Sequence, residues 1–291
     1  MKFEEFSMEM TKELSKELPE VEIKMDSFIK NNGTVLHGLV FHDLSNIAPT
    51  IYIDSYYEIY KNGGKFSDLV AEIADVYRKN RVEQSLDISF FTDFTRIHSR
   101  IICCVINYTK NMELLKEIPY VRMFDLAVIF RVVLNTDLNG MATVLVNNKH
   151  LALWGQTISS IYQIAKENTL CLSEFSVNNI SDILKGAGCD VFQESEESID
   201  MYVVTNQWEM YGANAILYND IFAELSEHLG VDLYILPSSV HELIVIPADE
   251  TGDKDEIERV VQEINGAVVI PEEVLADSVY YYNRKEKCII W

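Results

Sequence analysis

Cysteine is scarce in this chain: five in 291 residues, Cys103, Cys104, Cys171, Cys189 and Cys288, an odd number with no C-x-x-C pair. That argues against a zinc site and against a disulfide framework, and buried free thiols are the expectation. No apolar run approaches the roughly twenty residues needed to span a bilayer. The opening residues mix acids into every apolar step, unlike a secretory signal, so the chain is expected in the cytoplasm. Basic residues are almost missing from one quarter: residues 190–263 hold eighteen acids and only Lys254 and Arg259. Such a field repels nucleic acid and anionic membranes and draws basic partners at long range. Direct nucleic-acid or membrane binding is therefore not expected.

Catalytic signatures fail on spacing. Gly63-Gly64-Lys65 looks like the end of a phosphate loop, but Ile59 stands where its first glycine belongs and Phe66 where a magnesium-binding hydroxyl belongs. A zinc-protease motif begun at His241-Glu242 would need histidine at 245, which is Val245. Asp249 to Asp255 has the composition of a calcium loop, with its glycine at the fourth position instead of the sixth. There is no G-x-S-x-G and no G-x-G-x-x-G. No cofactor or metal is expected.

What is present is a folded, acidic chain. Its net charge is −22, yet 48% of residues are apolar and 11% aromatic, so the charge should lie on a packed surface. Phe3, Phe6, Met10, Leu14 and Leu18 recur at helical spacing and stop at Pro19. Val21, Ile23 and Met25 alternate, and Asn32-Gly33 predicts a tight hairpin turn into Thr34–His42. A strand at 49–53, helices at 55–61 and 66–81, a helix near 87–98 and a strand at 100–108 follow. Cys103 and Cys104 should point to opposite faces of that strand. Residues 124–134 and 141–147 read as a hairpin about Asn139-Gly140. Helices are expected at 157–167 and 176–185.

Gly186–Asp200 interrupts the pattern and reads as a linker. Beyond it come strands at 201–205 and 213–217, a helix at 219–229, strands at 232–236 and 240–246, a helix at 253–265 and a strand-like tail. Strands arrive mostly as hairpins, so the class is α+β, with antiparallel sheets and packed helices. Two lobes are expected, 1–186 and an acidic 200–291, joined by an acidic loop at 187–199.

Three groups are candidates for function. Ser238, Ser239 and His241 could supply a nucleophile and a base. In a strand, however, His241 and Glu242 would face opposite sides, and Pro237-Ser238-Ser239 is ordinary turn chemistry. Tyr56 and Tyr60 share a helix face behind a cap at Asp54 or Ser55, and Trp208 and Tyr211 lie in a loop; these could form an aromatic surface or simply pack on their own domain. The run Tyr280 to Tyr282 suits an edge strand. The third group is acidic: Glu194, Glu196, Glu197, Asp249, Glu250, Asp253, Asp255 and Glu256.

The stretches Asn46-Ile-Ala-Pro-Thr-Ile-Tyr-Ile, Ser89-Phe-Phe-Thr-Asp-Phe, Asn139-Gly-Met-Ala-Thr-Val-Leu-Val and Ile235-Leu-Pro-Ser-Ser-Val-His-Glu-Leu-Ile-Val, with Asp277-Ser-Val-Tyr-Tyr-Tyr, carry a resemblance over nearly the whole chain. It resembles a family of uncharacterised acidic cytosolic proteins of clostridia and related Firmicutes, often linked to mobile genetic elements. The resemblance implies one compact family and brings no activity, cofactor or catalytic residue. Charge and the failed motifs together favour a binding protein over an enzyme. Its acidic C-terminal face would engage a basic protein, in the sharper form by imitating nucleic acid and so inhibiting a host-defence or regulatory protein. The alternative is a hydrolase or transferase around Ser238, Ser239 and His241. A metal-binding loop at 249–256 is a third reading.

Overall fold

The alternation and breaker pattern of the first ninety residues builds one helix-covered sheet. The computed structural model describes residues 1–43, 48–81, 88–137, 140–186, 200–237, 239–248, 254–267 and 269–291. The chain forms two compact units, Met1–Ser89 and Phe90–Trp291.

In the first unit, α1 (Phe3–Glu17) buries Phe6, Met10 and Leu14 along one stripe, as its spacing predicts. The Glu5 carboxylate accepts the Lys2 N–H at 3.1 Å, satisfying one of the free donors at the helix start. Strands β1 (Glu22–Ile29) and β2 (Val35–His42) pair antiparallel from Glu22↔His42 to Ile29↔Val35. The turn between them has Asn32 at φ 59° and Gly33 at φ 71°, the left-handed region that these two residue types tolerate best. β3 (Thr50–Tyr52) adds to β2, and α2 (Asp54–Lys61) and α3 (Phe66–Asn80) follow. The expected cap at Asp54 or Ser55 is not formed. Ile53 precedes the helix, and the Asp54 carboxylate is engaged with His37 instead. Tyr77 stacks on Phe41 at 4.6 Å and donates its hydroxyl to Asp43 at 2.9 Å.

The second unit begins with the short helices α4 (Ile88–Thr92), which straddles the boundary, and α5 (Phe94–Ile97). Its first sheet has β4 (Ile101–Asn107), β5 (Tyr120–Met123), β6 (Leu126–Asp137) and β7 (Gly140–Leu145), all antiparallel. β4 lies on one side of β6 and β5 on the other along Leu126–Ile129, while β7 pairs with β6 from Arg131 to Asp137. β6 and β7 pair as the expected hairpin, up to Asp137↔Gly140, and residues 138 and 139 of its turn lie outside the described residues. Cys103 and Cys104 do face opposite sides, each buried in a different apolar cluster.

After α6 (Asn148–Trp154) and α7 (Ile158–Ser173) the second sheet is assembled from β8 (Phe175–Asn179), β9 (Tyr202–Asn206), β10 (Leu233–Leu236), β11 (Leu243–Pro247), β12 (Tyr280–Asn283) and β13 (Cys288–Ile290). Helix α8 (Ile180–Gly186) follows β8, α9 (Asn219–Leu229) precedes β10, and α10 (Lys254–Ala267) follows β11. Strand order is β13-β12-β10-β11-β9-β8, antiparallel throughout. The architecture is α+β, as expected.

Four local expectations are corrected. Residues 175–179 form β8 because Phe175 to Asn179 find partners on β9, and the helix expected at 176–185 starts only at Ile180. Residues 212–217 form a fully buried 3₁₀ helix, not a strand, turning Asn214 toward the first sheet. β11 starts at Leu243, so His241 and Glu242 precede the strand; Ser239 makes an isolated bridge to Val274. β12 is an interior strand with β10 and β13 on either side. Its alternation holds: Tyr280 and Tyr282 are buried on one face and Tyr281 lies on the other.

Residues 90–186 and 200–291, expected in different lobes, share a core. Cys103, Val105, Val128 and Phe130 of the first sheet cluster with Val204, Leu233, Ile235, Val245, Tyr280 and Tyr282 of the second, and with Ile161, Ala165 and Phe222 from helices. Among the described residues β4 has one strand neighbour, β6, and all seven of its residues are buried. Side chains close its other edge. Asn214 Oδ1 accepts the Val105 N–H at 3.0 Å while its Nδ2 donates to the Cys103 carbonyl at 2.7 Å. Thr169 Oγ1 accepts the Cys103 N–H at 2.8 Å, and Asn168 Nδ2 donates to the Ile101 carbonyl at 2.9 Å. Buried backbone groups are almost always paired, and here amides and a hydroxyl replace a missing strand. The segment 187–199 lies outside the described residues.

Candidate functional site

His241 sits in a tight junction between the β9–3₁₀ loop and the segment before β11. Its Nδ1 accepts the Tyr211 N–H at 3.4 Å, and its Nε2 lies 3.5 Å from Glu273 Oε1. The Tyr211 ring stacks on the imidazole at 6.0 Å and has the Arg131 guanidinium 5.6 Å from its centroid. Arg131 is held in turn by Thr143 Oγ1 at 2.7 Å. Burial pushes the Tyr211 hydroxyl above its ordinary range, so it stays protonated. Gly212 is required here: a Cβ would come within 2.3 Å of the His241 carbonyl and 2.8 Å of Thr205 Cα.

This geometry gives the Ser239–His241 pair little to work with. Ser239 Oγ accepts the His241 backbone N–H at 3.0 Å, a local turn contact, and both ring nitrogens already have other partners. Ser238 lies outside the described residues. The carboxylate that reaches the imidazole is Glu273, not Glu242. Neither Glu273 nor Arg131 could be read from sequence, since each comes from an element more than thirty residues from His241.

The aromatic candidates fall in different units. Tyr56 and Tyr60 are half-buried on the first unit's core, Tyr60 lying 5.4 Å from Phe6 and 6.2 Å from Phe66. Trp208 is half-buried and its Nε1 donates to the Leu172 carbonyl at 3.4 Å. Tyr211 is enclosed as described. Each of these rings packs on its own unit.

Of the acidic candidates, Glu194, Glu196, Glu197, Asp249, Glu250 and Asp253 lie outside the described residues. Asp255 and Glu256 belong to α10, and their side chains lie outside the description too. Of the acids between residues 200 and 263 whose side chains are described, five lie on two helices, Asp220, Glu224 and Glu227 on α9 and Glu258 and Glu263 on α10, while Asp200, Glu209, Asp232 and Glu242 lie outside them. α9 buries Phe222, Leu225 and Ser226 and exposes Asp220, Glu224 and Glu227 at i, i+4 and i+7. The carboxylates are thus about 6 and 4.5 Å apart along the axis on one face. α10 buries Ile257 and Val261 and exposes Glu263. Phe222 packs with Tyr282, Leu233 and Ile235 on one side of the second sheet, whereas Ile257 and Val261 pack with Leu236 and Ile246 on the other. The two helices therefore turn their charged faces away from each other, and a contiguous acidic face has to be built on one of them.

A groove of about 860 Å³ opens at the C-terminal end of α9, lined by Glu227, Val231, Asp232, Tyr281, Arg284 and Lys285 among others. Asp232 organises it, accepting the Tyr281 hydroxyl at 2.5 Å and the Arg284 N–H at 2.7 Å. That hydrogen bond and burial push the Tyr281 hydroxyl up to about 12. Arg284 Nη1 caps the helix end through the Gly230 carbonyl at 2.9 Å, and Lys287 lies 3.5 Å from Glu227. Among the described residues no group of three His, Cys, Asp or Glu is placed to hold a metal ion, and the 249–253 stretch of the supposed calcium loop lies outside them. No helix is long and apolar enough to cross a membrane among the described residues.

These features define an α+β protein of three antiparallel sheets with an acidic helix face and groove on its larger unit. The chain belongs to a family of unknown function, DUF5688, whose model matches residues 3–284. No curated protein and no solved structure matches it.

Proposed function

We propose that the second unit is a binding module that presents the acidic face of α9 to a basic protein. The observation that carries this reading is the exposed row Asp220, Glu224 and Glu227, whose one described cationic contact is Lys287 at 3.5 Å. The three residues sit on a helix anchored by Phe222 and Leu225, which fixes the spacing of their backbone positions. The field of the whole acidic quarter steers a basic partner toward that face, most strongly at low salt. In its sharper form the face stands in for a phosphate row. The partner is then a nucleic-acid-binding protein whose basic surface it occupies. The resemblance to proteins linked to mobile genetic elements favours a host-defence or regulatory protein in that role.

The test is retention of partners from nuclease-treated lysate by the wild-type chain and by Asp220→Asn/Glu224→Gln/Glu227→Gln, washed at low and high salt. The expected result is a basic protein held by wild type, released by salt and lost by the triple variant. Identical retention by both baits would reduce the α9 charges to a solubility feature.

A further inference from the structure

We infer that Ser27, His37 and Asp54 of the first unit form an acyl-transfer site, independent of the acidic face of the second. The β1–β2 register sets Ser27 directly opposite His37. Directly paired residues of antiparallel strands share a face, with Cβ atoms about 4.5–5.5 Å apart. On the other flank of His37 lies the β3–α2 junction. The Ile53 N–H donates to the His37 carbonyl at 2.9 Å, and the next residue, Asp54, meets the imidazole. One Asp54 oxygen accepts the His37 backbone N–H at 2.8 Å and the other lies 2.8 Å from Nδ1. Asp54 thus meets the imidazole from the β3 side, and Ser27 is its cross-strand neighbour on the β1 side.

The tautomer that donates Nδ1–H to Asp54 leaves Nε2 as the nitrogen that can accept a proton. Phe3, with its centroid 4.6 Å from that of the imidazole, packs the ring and restrains its rotation. Ser27 is exposed, and its hydroxyl makes no described hydrogen bond, to His37 included, so it reaches Nε2 by turning about its Cα–Cβ bond. His37 and Asp54 are about one-third exposed, at 36% and 31% of their side-chain surface, so a ligand in solvent reaches them. The residues are 10 and 17 positions apart and share no recognisable motif, which is why spacing alone passes over them.

The chemistry is hydrolysis of a short, uncharged carboxylic ester. Ser27 Oγ attacks the acyl carbon while His37 Nε2 takes the hydroxyl proton. The ester C–O bond breaks and the departing alkoxide receives that proton. Water then attacks the acyl-serine, giving its proton to Nε2. The carboxylic acid leaves and Ser27 regains the proton. Asp54 is a positioning residue that holds the tautomer and the ring plane.

The experiment uses the full-length chain, p-nitrophenyl acetate, and a fluorophosphonate probe followed by peptide mass mapping. Wild type should hydrolyse the ester above the buffer rate and take the label on Ser27. Ser27→Ala, an exposed change that leaves the His37–Asp54 contact intact, should lower the rate by at least about 100-fold and abolish the label. His37→Ala should lose the activity and regain part of it with added imidazole, which a purely structural role for His37 does not predict. Equal hydrolysis by wild type and Ser27→Ala, or no label on Ser27, would overturn the assignment.

Discussion

Removing the amide of Asn214 should destabilise the second unit more than any surface change of equal size. Asn214 is 1% exposed, and its amide bonds both the Val105 N–H and the Cys103 carbonyl on the open edge of β4. Asn214→Ala leaves one donor and one acceptor buried without partners. Each costs about 1–3 kcal/mol, so the expected loss is about 2–6 kcal/mol, toward the low end if a water enters the space left behind. Against a typical total of about 5–15 kcal/mol this is a large fraction. Urea denaturation followed by tryptophan emission is the assay, because Trp154, Trp208 and Trp291 all lie in the second unit and report on it alone. Asn214→Asp sharpens the test. At neutral pH its carboxylate can still accept from Val105 but cannot donate to Cys103, and it buries a charge; at acid pH the protonated form can donate. The Asp variant should therefore be worse than Ala at pH 7 and gain relative to it on acidification. A loss below about 1 kcal/mol for Asn214→Ala at unchanged m-value would falsify the idea that this amide replaces a strand.

Further outcomes follow from the same packing. Burial pushes the Cys103 and Cys104 thiols up to about 12, so neither should react with Ellman's reagent in the native protein at pH 8, while the exposed Cys171 reacts promptly; mass mapping that finds native Cys103 or Cys104 modified as fast as in urea would contradict the buried placement. His150 stacks on Trp154 at 5.6 Å, its Nδ1 accepts the Asn147 N–H at 3.1 Å, and burial lowers its proton affinity. The unfolded chain then binds the proton more readily, so the contribution is present above the unfolded value of about 6.5 and is lost as pH falls below it. His150→Gln should flatten the decline in stability between pH 7 and pH 5 relative to wild type, and parallel curves would refute this.

Much of the fold was legible because it rests on local periodicity and turn chemistry. The stripe Phe6, Met10, Leu14, the Asn32-Gly33 turn, the β6–β7 hairpin and the amphipathic α9 all follow from residues close in sequence. The errors have one physical source. Phe175 to Asn179 has no strong local preference and becomes a strand only because β9 offers it a ladder. Ala213 to Leu217 is apolar enough for a strand, yet the buried edge of β4 needs the Asn214 amide, and a 3₁₀ turn delivers it. The candidate sites were not legible in the same way. The acids singled out from sequence were those at 194–197 and 249–256, not the α9 row at i, i+4 and i+7, and the Ser27–His37–Asp54 constellation exists only once β1, β2 and α2 are set side by side.

By itself the sequence determined the class of structure, most element positions, the burial of Cys103 and Cys104 on opposite faces, and the strong negative charge of its last third. These depend on the period of apolar residues and on composition, both carried by neighbours in the chain. Only the tertiary structure decided that residues 90–186 and 200–291 share one core. It alone set α9 and α10 on opposite sides of a sheet, so that their acids diverge, and gave the imidazole of His37 to Asp54 and that of His241 to Tyr211 and Glu273. Strand order and register bring together side chains whose separation along the chain carries no signal of contact, and the chemistry of a site is made there.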